Sequence, residues 1–579
     1  MNVRFFALLA QVWGIVAAIS GVLVGAPVKF GVHEVVLAAP GIGGNPFDVE
    51  ARVRFTPPSG SAHAVTVGAF HDGGSTWRAR VYLTEPGRWT WATECPAVPA
   101  LHERRGEFTA SASNRRGRLL VHPRNPRQWM TEDGRWFLNL NDTAYFLLST
   151  HDGQGDPVPF EDFTAYVHDA TTRGITSFRS FVASGPAPFH DAQNAGHHRW
   201  REFFADEAFS RLRLEGLQET DRRLRWLHDH HPDIAVQLIL FPLERWRADG
   251  IFWARLSTAQ KERLLRHLVA RYAAYPAIFW LIMNDAHYAP VRQPPRPGEA
   301  EGTGTDVQFP RNLAFVREVG AYLERHDPWN HPRSTGPARG VPFFFEREAW
   351  ATYVHLEANY DLGARGMDTY LDVAKPVFLG EDRYEQDRPN LDPEDMRFFQ
   401  RRLFWTWLLA GGSTNYGGRW WVVHPYTQTG RRSSPSAHRS AAPPVFSGQL
   451  VGLDSVRFIR DYFSARDLDL SPCEPDTVLV RDADGRTGAQ APRAMRRGSE
   501  EWLIYHPNAN SADRAARVDA TKPARLRLDL TGAPGRFAVE WFRPYDGVTA
   551  VAPALPGGRV VELTAPWPGQ DAVLWLRKE

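Results

Sequence analysis

Cysteine is nearly absent from this chain. Cys95 and Cys473 are the only two in 579 residues, and no Cys-x-x-Cys or His/Cys cluster offers the ligands of a structural zinc site. The two fall in segments read below as different domains. They would pair only if those domains packed with Cα atoms within about 7 Å, and two unpaired thiols is the simpler reading. Lysine is scarce as well, at positions 29, 261, 375, 522 and 578 only, so the basic residues are nearly all Arg. The 68 basic residues face 66 acidic ones, with no run of either sign. That excludes the basic stripe of a nucleic-acid binder and the polybasic patch of an acidic-membrane binder. Also missing are a Gly-x-Ser-x-Gly elbow, an HExxH pair, a P-loop and a glycine-rich dinucleotide fingerprint after any strand-like run. No metal and no cofactor is implied.

One long apolar run is present, at the beginning. Met1 to Arg4 carries a single positive side chain, and Phe5 to Ala26 is apolar apart from Gln11 and Ser20. This is the layout of a signal peptide over residues 1–26, with Ala18-Ile19-Ser20 as the small-residue site for cleavage before Gly21. The run is also long enough to span a bilayer as an uncleaved anchor. Either way the rest of the chain is expected outside the cytoplasm, secreted or periplasmic.

Three modules follow. Over 28–114, Ala51-Arg-Val-Arg-Phe55, Ala64-Val-Thr-Val-Gly-Ala-Phe70 and Trp77-Arg-Ala-Arg-Val-Tyr82 read as short strands between Gly-, Pro- and Asp-rich turns, a small β-sandwich. Over 117–466, strand-like runs alternate with amphipathic helices. Ser257 and Gln260 form a capping-box pair, Leu264, Leu265, Leu268, Val269 and Tyr272 recur at helical spacing, and Pro276 ends the helix just before the apolar run Ile278–Met283. Phe160, Phe163, Tyr166, Val167 and Ala170 mark another helix, closed by Gly174. Eight strands are expected, at Trp136–Leu140, Ile175–Val182, Ile234–Phe241, Ile278–Met283, Arg333–Gly336, Ala351–Leu356, Pro376–Leu379 and Ser413–Tyr416. Eight βα units in about 350 residues fit a (β/α)8 TIM barrel, and an open doubly wound sheet is the alternative. Over 470–579, runs such as Trp502-Leu-Ile-Tyr505 and Ala572-Val-Leu-Trp-Leu576 indicate a second β-sandwich.

Acidic residues at the C-terminal ends of barrel strands are where chemistry is expected. The fourth strand runs without interruption into Asn284-Asp285, followed by His287 and Tyr288, and the seventh runs through Gly380 into Glu381. Ending a buried strand in a carboxylate is costly without a purpose. The alternatives are an Asp that caps the next turn and a Glu in an ion pair with Arg383 or with an arginine on a neighbouring strand. Gly380 is expected to leave space beside a ligand, and Asp382 and Glu385 are fallback carboxylates. Two carboxyls facing each other across a barrel mouth suit glycoside cleavage, with Asp285 as acid/base and Glu381 as nucleophile.

At this point the chain resembles the apiosidase-like glycoside hydrolases, a branch of a large clan of retaining (β/α)8 enzymes. The residues that carry the resemblance are Asp133-Gly-Arg-Trp-Phe-Leu-Asn-Leu-Asn-Asp142-Thr143-Ala144-Tyr145, Asn284-Asp285, His326-Asp327-Pro328 with His331-Pro332, Lys375-Pro-Val-Phe-Leu-Gly-Glu381, and Trp405 through Ala410-Gly-Gly-Ser-Thr-Asn-Tyr416-Gly417. The segment before the barrel resembles the immunoglobulin-like domain that often precedes such barrels, through Gly44-Asn-Pro-Phe-Asp48, Phe55-Thr-Pro-Pro-Ser-Gly60, Phe70-His-Asp-Gly73 and Glu85-Pro-Gly-Arg-Trp-Thr90. Together the resemblances cover about residues 30 to 465 and imply the same acid/base and nucleophile. The sixth strand, Tyr353-Val-His-Leu-Glu357, departs from the expected pattern, so the substrate is not carried over.

Supporting residues follow from these positions. Asn284 is expected to bind a sugar 2-hydroxyl. Arg179 either holds Glu381 ionised or makes a structural ion pair. Asp142 either binds sugar hydroxyls or caps a helix. Tyr145, Trp246, Tyr288, Tyr384, Trp420 and Trp421 are either stacking platforms for sugar rings or core, and His287 and His355 either orient a carboxylate or are buried structural histidines. The expected partner is a carbohydrate. Two other readings stay open: an inactive barrel that only binds carbohydrate, and an inverting hydrolase.

Overall fold

The computed structural model describes residues 26–151, 157–183, 199–241, 250–286, 288, 305–384, 392–417 and 451–579. Residues 1–25, with most of the apolar leader, lie outside these. Among the described residues no helix is long and apolar enough to cross a membrane.

The first module is antiparallel. Its six strands are Val32–Ala38, Ala51–Thr56, Val65–His71, Thr76–Tyr82, Gly87–Glu94 and Arg105–Ala110, and Ala51–Thr56 alternates buried and exposed side chains as its sequence pattern requires. The strand Val65–His71 pairs first with Ala51–Thr56 and then, at Phe70 and His71, with Thr76–Tyr82, so it joins the two layers of the sandwich.

The central module is a (β/α)8 barrel. Its strands are Leu140–Thr143, Ser177–Phe181, Ala235–Phe241, Ile278–Met283, Arg333–Ser334, Val354–Glu357, Val377–Glu381 and Ser413–Tyr416. All registered neighbours are parallel, in the order five-four-three-two-one-eight-seven-six. The seam between strands five and six is closed by Thr352 N donating to the Arg333 carbonyl and Ser334 Oγ donating to the Tyr353 carbonyl, each at 2.8 Å. The helix Thr258–Tyr272 carries the expected capping box at Ser257 and Gln260, and Phe163, Tyr166, Val167 and Ala170 are buried on the helix Phe160–Thr172. The first strand lies further along than the apolar run suggests. Phe137 belongs to the floor of the barrel, packing with Leu119, Trp129, Ala235, Phe279, Tyr353 and Phe378, while Trp136 lies against Phe463, and the strand proper begins at Leu140.

The third module is again antiparallel, a six-stranded and a three-stranded sheet around a core that includes Trp502, Ile504, Leu526, Leu528, Phe537, Trp541 and Leu574. It braces the helix Pro393–Leu409 that leads into strand eight. Arg401 Nη2 on that helix pairs with Asp571 Oδ1 at 3.0 Å, Tyr505 donates to Asp571 Oδ2 at 3.0 Å, and the Trp405 and Tyr505 rings stack. Cys95 and Cys473 are both buried and unbonded to each other.

The first sandwich joins the barrel through buried charge. Arg80 grips Asp221 on a barrel helix with Nη1 at 2.6 Å and Nη2 at 3.0 Å, and Arg271 reaches the same carboxylate at 2.5 Å. Arg80 also donates to Glu34 at 2.7 Å, with Arg78 at 2.5 Å and Arg225 at 3.2 Å. Burial alone would raise the Glu34 carboxyl, but the charges of Arg80, Arg225 and Arg78 hold it at about 2. A depressed carboxyl contributes stability above its unfolded value and loses it as the pH falls through its folded value. Glu34→Gln is therefore expected to cost on the order of 3 kcal/mol at neutral pH. Urea unfolding of both proteins should show that gap closing as the pH is lowered from about 4.5 toward about 2. A gap that does not depend on pH contradicts this account.

Candidate active site

Three carboxylates gather at the C-terminal rim of the barrel, each ending a strand. Asp285 follows strand four, Glu357 ends strand six and Glu381 ends strand seven. One oxygen from each lies within 4.8 Å of the others. Asp285 takes a φ of 53°, a left-handed conformation that side-chain-bearing residues other than Asn and Asp seldom adopt. It turns the chain at once as the strand ends and brings the carboxyl beside the other two.

A bulge sets the other pair. Strands six and seven run in step from Val354–Val377 to Leu356–Leu379, and then Glu357 faces Glu381, leaving Gly380 as the extra residue. In a regular strand the side chains at 380 and 381 would lie on opposite faces. The bulge re-aims Glu381 toward Glu357, as bulges beside functional sites commonly do. Gly380 has a specific reason to be glycine, because a Cβ there would run into the His355 imidazole. The space expected beside a ligand is thus taken by His355.

Arg179, on strand two, ties the group together. Its side chain is fully buried. Nη1 donates to Glu381 Oε2 at 3.2 Å and to the Gly380 carbonyl at 2.9 Å, while Nη2 donates to Glu357 Oε1 at 2.9 Å and to the Asn284 side-chain oxygen. Tyr145 donates its hydroxyl to Glu381 Oε2, and Arg339 donates to Glu381 Oε1. Burial alone would raise the Glu381 carboxyl; the charges of Arg339 and Arg179 and the Tyr145 hydrogen bond outweigh it and hold the group well below the usual carboxylate range. Glu357 goes the other way, raised by burial and by the neighbouring Glu381 charge. His355 Nε2 lies 3.7 Å from Glu357 Oε1, and burial together with Arg179 pushes this histidine well below its ordinary value, so it is neutral. The three carboxylates are close enough to hold an ion, but two guanidinium groups already serve them, which opposes a cation.

The other candidates sort by surroundings. Asn284 is buried with its side-chain oxygen held by Arg179, so its amide N–H groups are the face left for a ligand. Tyr145 stacks on Phe181 with ring centroids 4.6 Å apart and spends its hydroxyl on Glu381, so it positions the carboxylate and is no sugar platform. Asp142 is buried in strand one and accepts from Tyr166 on the outer helix at 2.8 Å, away from the three carboxylates. Tyr288 is core, edge-on to Phe345 and hydrogen-bonded with Thr335. Tyr384 is buried with Arg339 5.5 Å above its ring. Asp382 accepts from the backbone N–H groups of Tyr360, Asp361 and Arg383 and holds a loop. Trp246, His287, Glu385, Trp420 and Trp421 lie outside the described residues.

Two participants were not among the sequence candidates. Glu357 also closes a strand-like run, but Thr352 and His355 interrupt that run, so it lacks the abrupt change from apolar to acidic that marks Asp285 and Glu381. Arg339 lies in an irregular segment after strand five, with no pattern to mark it. Elsewhere, an open concavity of about 770 Å³ between sandwich and barrel, lined by Asn45, Phe47, His71 and Arg213 among others, assembles no comparable set of acids.

Comparison with known proteins agrees with this fold. Residues 27–96 match a family model described as a domain of unknown function (DUF5060). No curated protein sequence matches the chain. Among solved structures, a candidate glycoside hydrolase from Bacteroides vulgatus ATCC 8482 is similar over 95% of this chain and 99% of its own, with a TM-score of 0.64 at 17% identity. A glycoside hydrolase family 5 protein from the same organism is similar over 80% of this chain and 94% of its own, with a TM-score of 0.58 at 14% identity. A third structure, named a glycoside hydrolase, covers 80% of this chain and 97% of its own, with a TM-score of 0.53 at 14% identity. The fold is therefore that of known glycoside hydrolases.

The bulge gives a direct test. Gly380→Ala drives a methyl into a packed imidazole, an overpacking expected to cost about 1–3 kcal/mol or more. Thermal unfolding should report it, and Gly380→Ala combined with His355→Ala should recover part of the loss. No recovery in the double variant would show that His355 is not the obstacle.

Proposed function

We propose that this protein is a retaining glycoside hydrolase acting on oligo- or polysaccharides. The observation that carries the reading is that Asp285 and Glu381 meet at the strand ends with one oxygen of each within 4.8 Å of the other, a closeness that favours the retaining arrangement. Retaining enzymes hold their two carboxyls about 5–5.5 Å apart, and inverting enzymes need about 6.5–9.5 Å to admit a water between them. The electrostatics of Glu381 support its role as nucleophile. Glu381, ionised by Arg179, Arg339 and Tyr145, is suited to attack the anomeric carbon. Asp285 gives its proton to the glycosidic oxygen as the glycosyl–Glu381 ester forms, then takes a proton from the water that cleaves the ester. Asn284, with its oxygen fixed by Arg179, offers N–H groups to a sugar hydroxyl. Neither step calls for a cofactor.

The resemblance to apiosidase-like enzymes along strands one, four, seven and eight is consistent with this reading, and the leader-like segment before residue 27 supports export, with secretion or membrane anchoring as its two forms. Trp246, Trp420 and Trp421 are proposed as ring-stacking residues. The C-terminal sandwich is assigned a bracing role through Asp571 and Tyr505. A carbohydrate-binding barrel without turnover is the second reading; the presence of both acids at this spacing argues against it.

A panel of aryl glycosides and plant or bacterial polysaccharides tests the proposal. The wild type should release sugar with the anomeric configuration of the substrate by NMR, and Glu381→Ala should lose that activity by several orders of magnitude and regain some with azide. An inverted product, or activity that survives in Glu381→Ala, sinks it. Arg339→Gln removes a positive neighbour from Glu381, so the acidic limb of kcat/KM should move to higher pH. A limb that stays in place would mean Arg339 does not tune the nucleophile.

A further inference from the structure

Glu357 has no part in the two-carboxylate scheme, yet it sits inside it. Its side chain is buried, and one of its oxygens lies within 4.8 Å of an oxygen from Asp285 and of one from Glu381. Like charges this close disfavour ionising all of the carboxyls together, so a proton is retained among them. The groups facing Glu357 are Arg179 from strand two, Asp285 and Tyr288 from the end of strand four, Arg339 after strand five, His355 from its own strand, Glu381 from strand seven and Tyr145 after strand one. His355 is neutral and the tyrosines are protonated, burial pushing both Tyr145 and Tyr288 upward. The charges left are three carboxyls against two guanidiniums. One proton among these three carboxyls balances the two guanidiniums that face them. Without it an uncompensated negative charge would remain, and with a second proton a positive one; either is expensive out of water.

We propose that Glu357 is a positioning residue that shares one proton with Asp285 and so keeps the acid/base loaded for the first step of the reaction. The inference rests on the glycosidase reading. During that step the shared proton leaves Asp285 for the glycosidic oxygen, the C–O bond breaks with its electron pair going to that oxygen, and Glu381 bonds to the anomeric carbon. Glu381 then carries no charge, so Asp285 and Glu357 can both be ionised opposite Arg179 and Arg339, and that balance is kept. The pair is now a base. It takes one proton from the incoming water as the hydroxide oxygen bonds to the anomeric carbon and the ester bond breaks, which restores the Glu381 charge and the starting state. The same three acids thus switch from donor to acceptor through the charge on Glu381, and the gain or loss of that charge is what Glu357 relays to Asp285.

Glu357→Gln in the full-length protein tests this, because the amide keeps the shape and removes the proton site. Two coupled carboxyls hold their last proton to higher pH than one alone. The alkaline limb of kcat/KM is therefore expected to fall by about one pH unit or more. A purely structural role would lower the whole profile and leave the limb where it is, and that result overturns the proposal. Infrared difference titration of the resting protein gives a second reading that needs no turnover. The wild type should keep one protonated carboxyl at neutral pH, and both Glu357→Gln and Asp285→Asn should change its titration. No such carboxyl in the wild type also overturns the proposal. A wild type that hydrolyses nothing sinks the glycosidase reading instead, and the infrared titration alone then decides whether the proton is shared.

Discussion

The rim of this barrel depends on one buried guanidinium. Arg179 is sealed from water, and a lone charge there would be untenable. It is tolerated because each Nη donates to a carboxylate, Glu381 on one side and Glu357 on the other, while the Gly380 carbonyl and the Asn284 amide take further hydrogen bonds. The planar fork of arginine makes this possible, since it addresses several acceptors in fixed directions and cannot be deprotonated. The acids in turn need the arginine. Removing either side would leave buried charge without a partner, a loss of several kcal/mol in comparable settings.

The same interaction divides the acids electrostatically. Glu381 receives two guanidiniums and a tyrosine hydroxyl, so it remains ionised. Glu357 has one of those guanidiniums at contact and faces the Glu381 charge, and its proton is held more firmly. Burial and neighbouring charge thus leave one carboxyl ionised beside another that holds its proton. The backbone supports the arrangement at two unusual points, the left-handed turn at Asp285 and the bulge at Gly380. Local conformations of this sort persist where the surrounding packing enforces them.

That packing comes from beyond the barrel. Arg80 and Arg271 fasten the first sandwich to the helices behind strands two to four through Asp221, and Arg401 with Asp571 fastens the second to the helix before strand eight. Both docking surfaces lie on the outside of the barrel, so the flanking modules hold the scaffold and leave the strand ends to the chemistry.

The repetition of βα units, the capping box at Ser257 and Gln260, and the acids closing strands four and seven were legible in the sequence, because periodicity and abrupt changes of polarity are local properties. The first strand begins later than the apolar run suggests because Trp136 to Leu138 are as apolar as a strand but pack below it, Phe137 in the floor of the barrel and Trp136 against Phe463. Glu357 stood out less, because Thr352 and His355 break the run before it. The place of Arg339 beside Glu381, the meeting of Glu357 with Asp285 and Glu381, and the role of Tyr145 as a hydrogen-bond donor instead of a sugar platform were decided by the tertiary structure alone. They arise from a bulge, a positive φ and a loop that bring together side chains distant in the chain, and no spacing of residues encodes the charge balance of groups that meet only after folding.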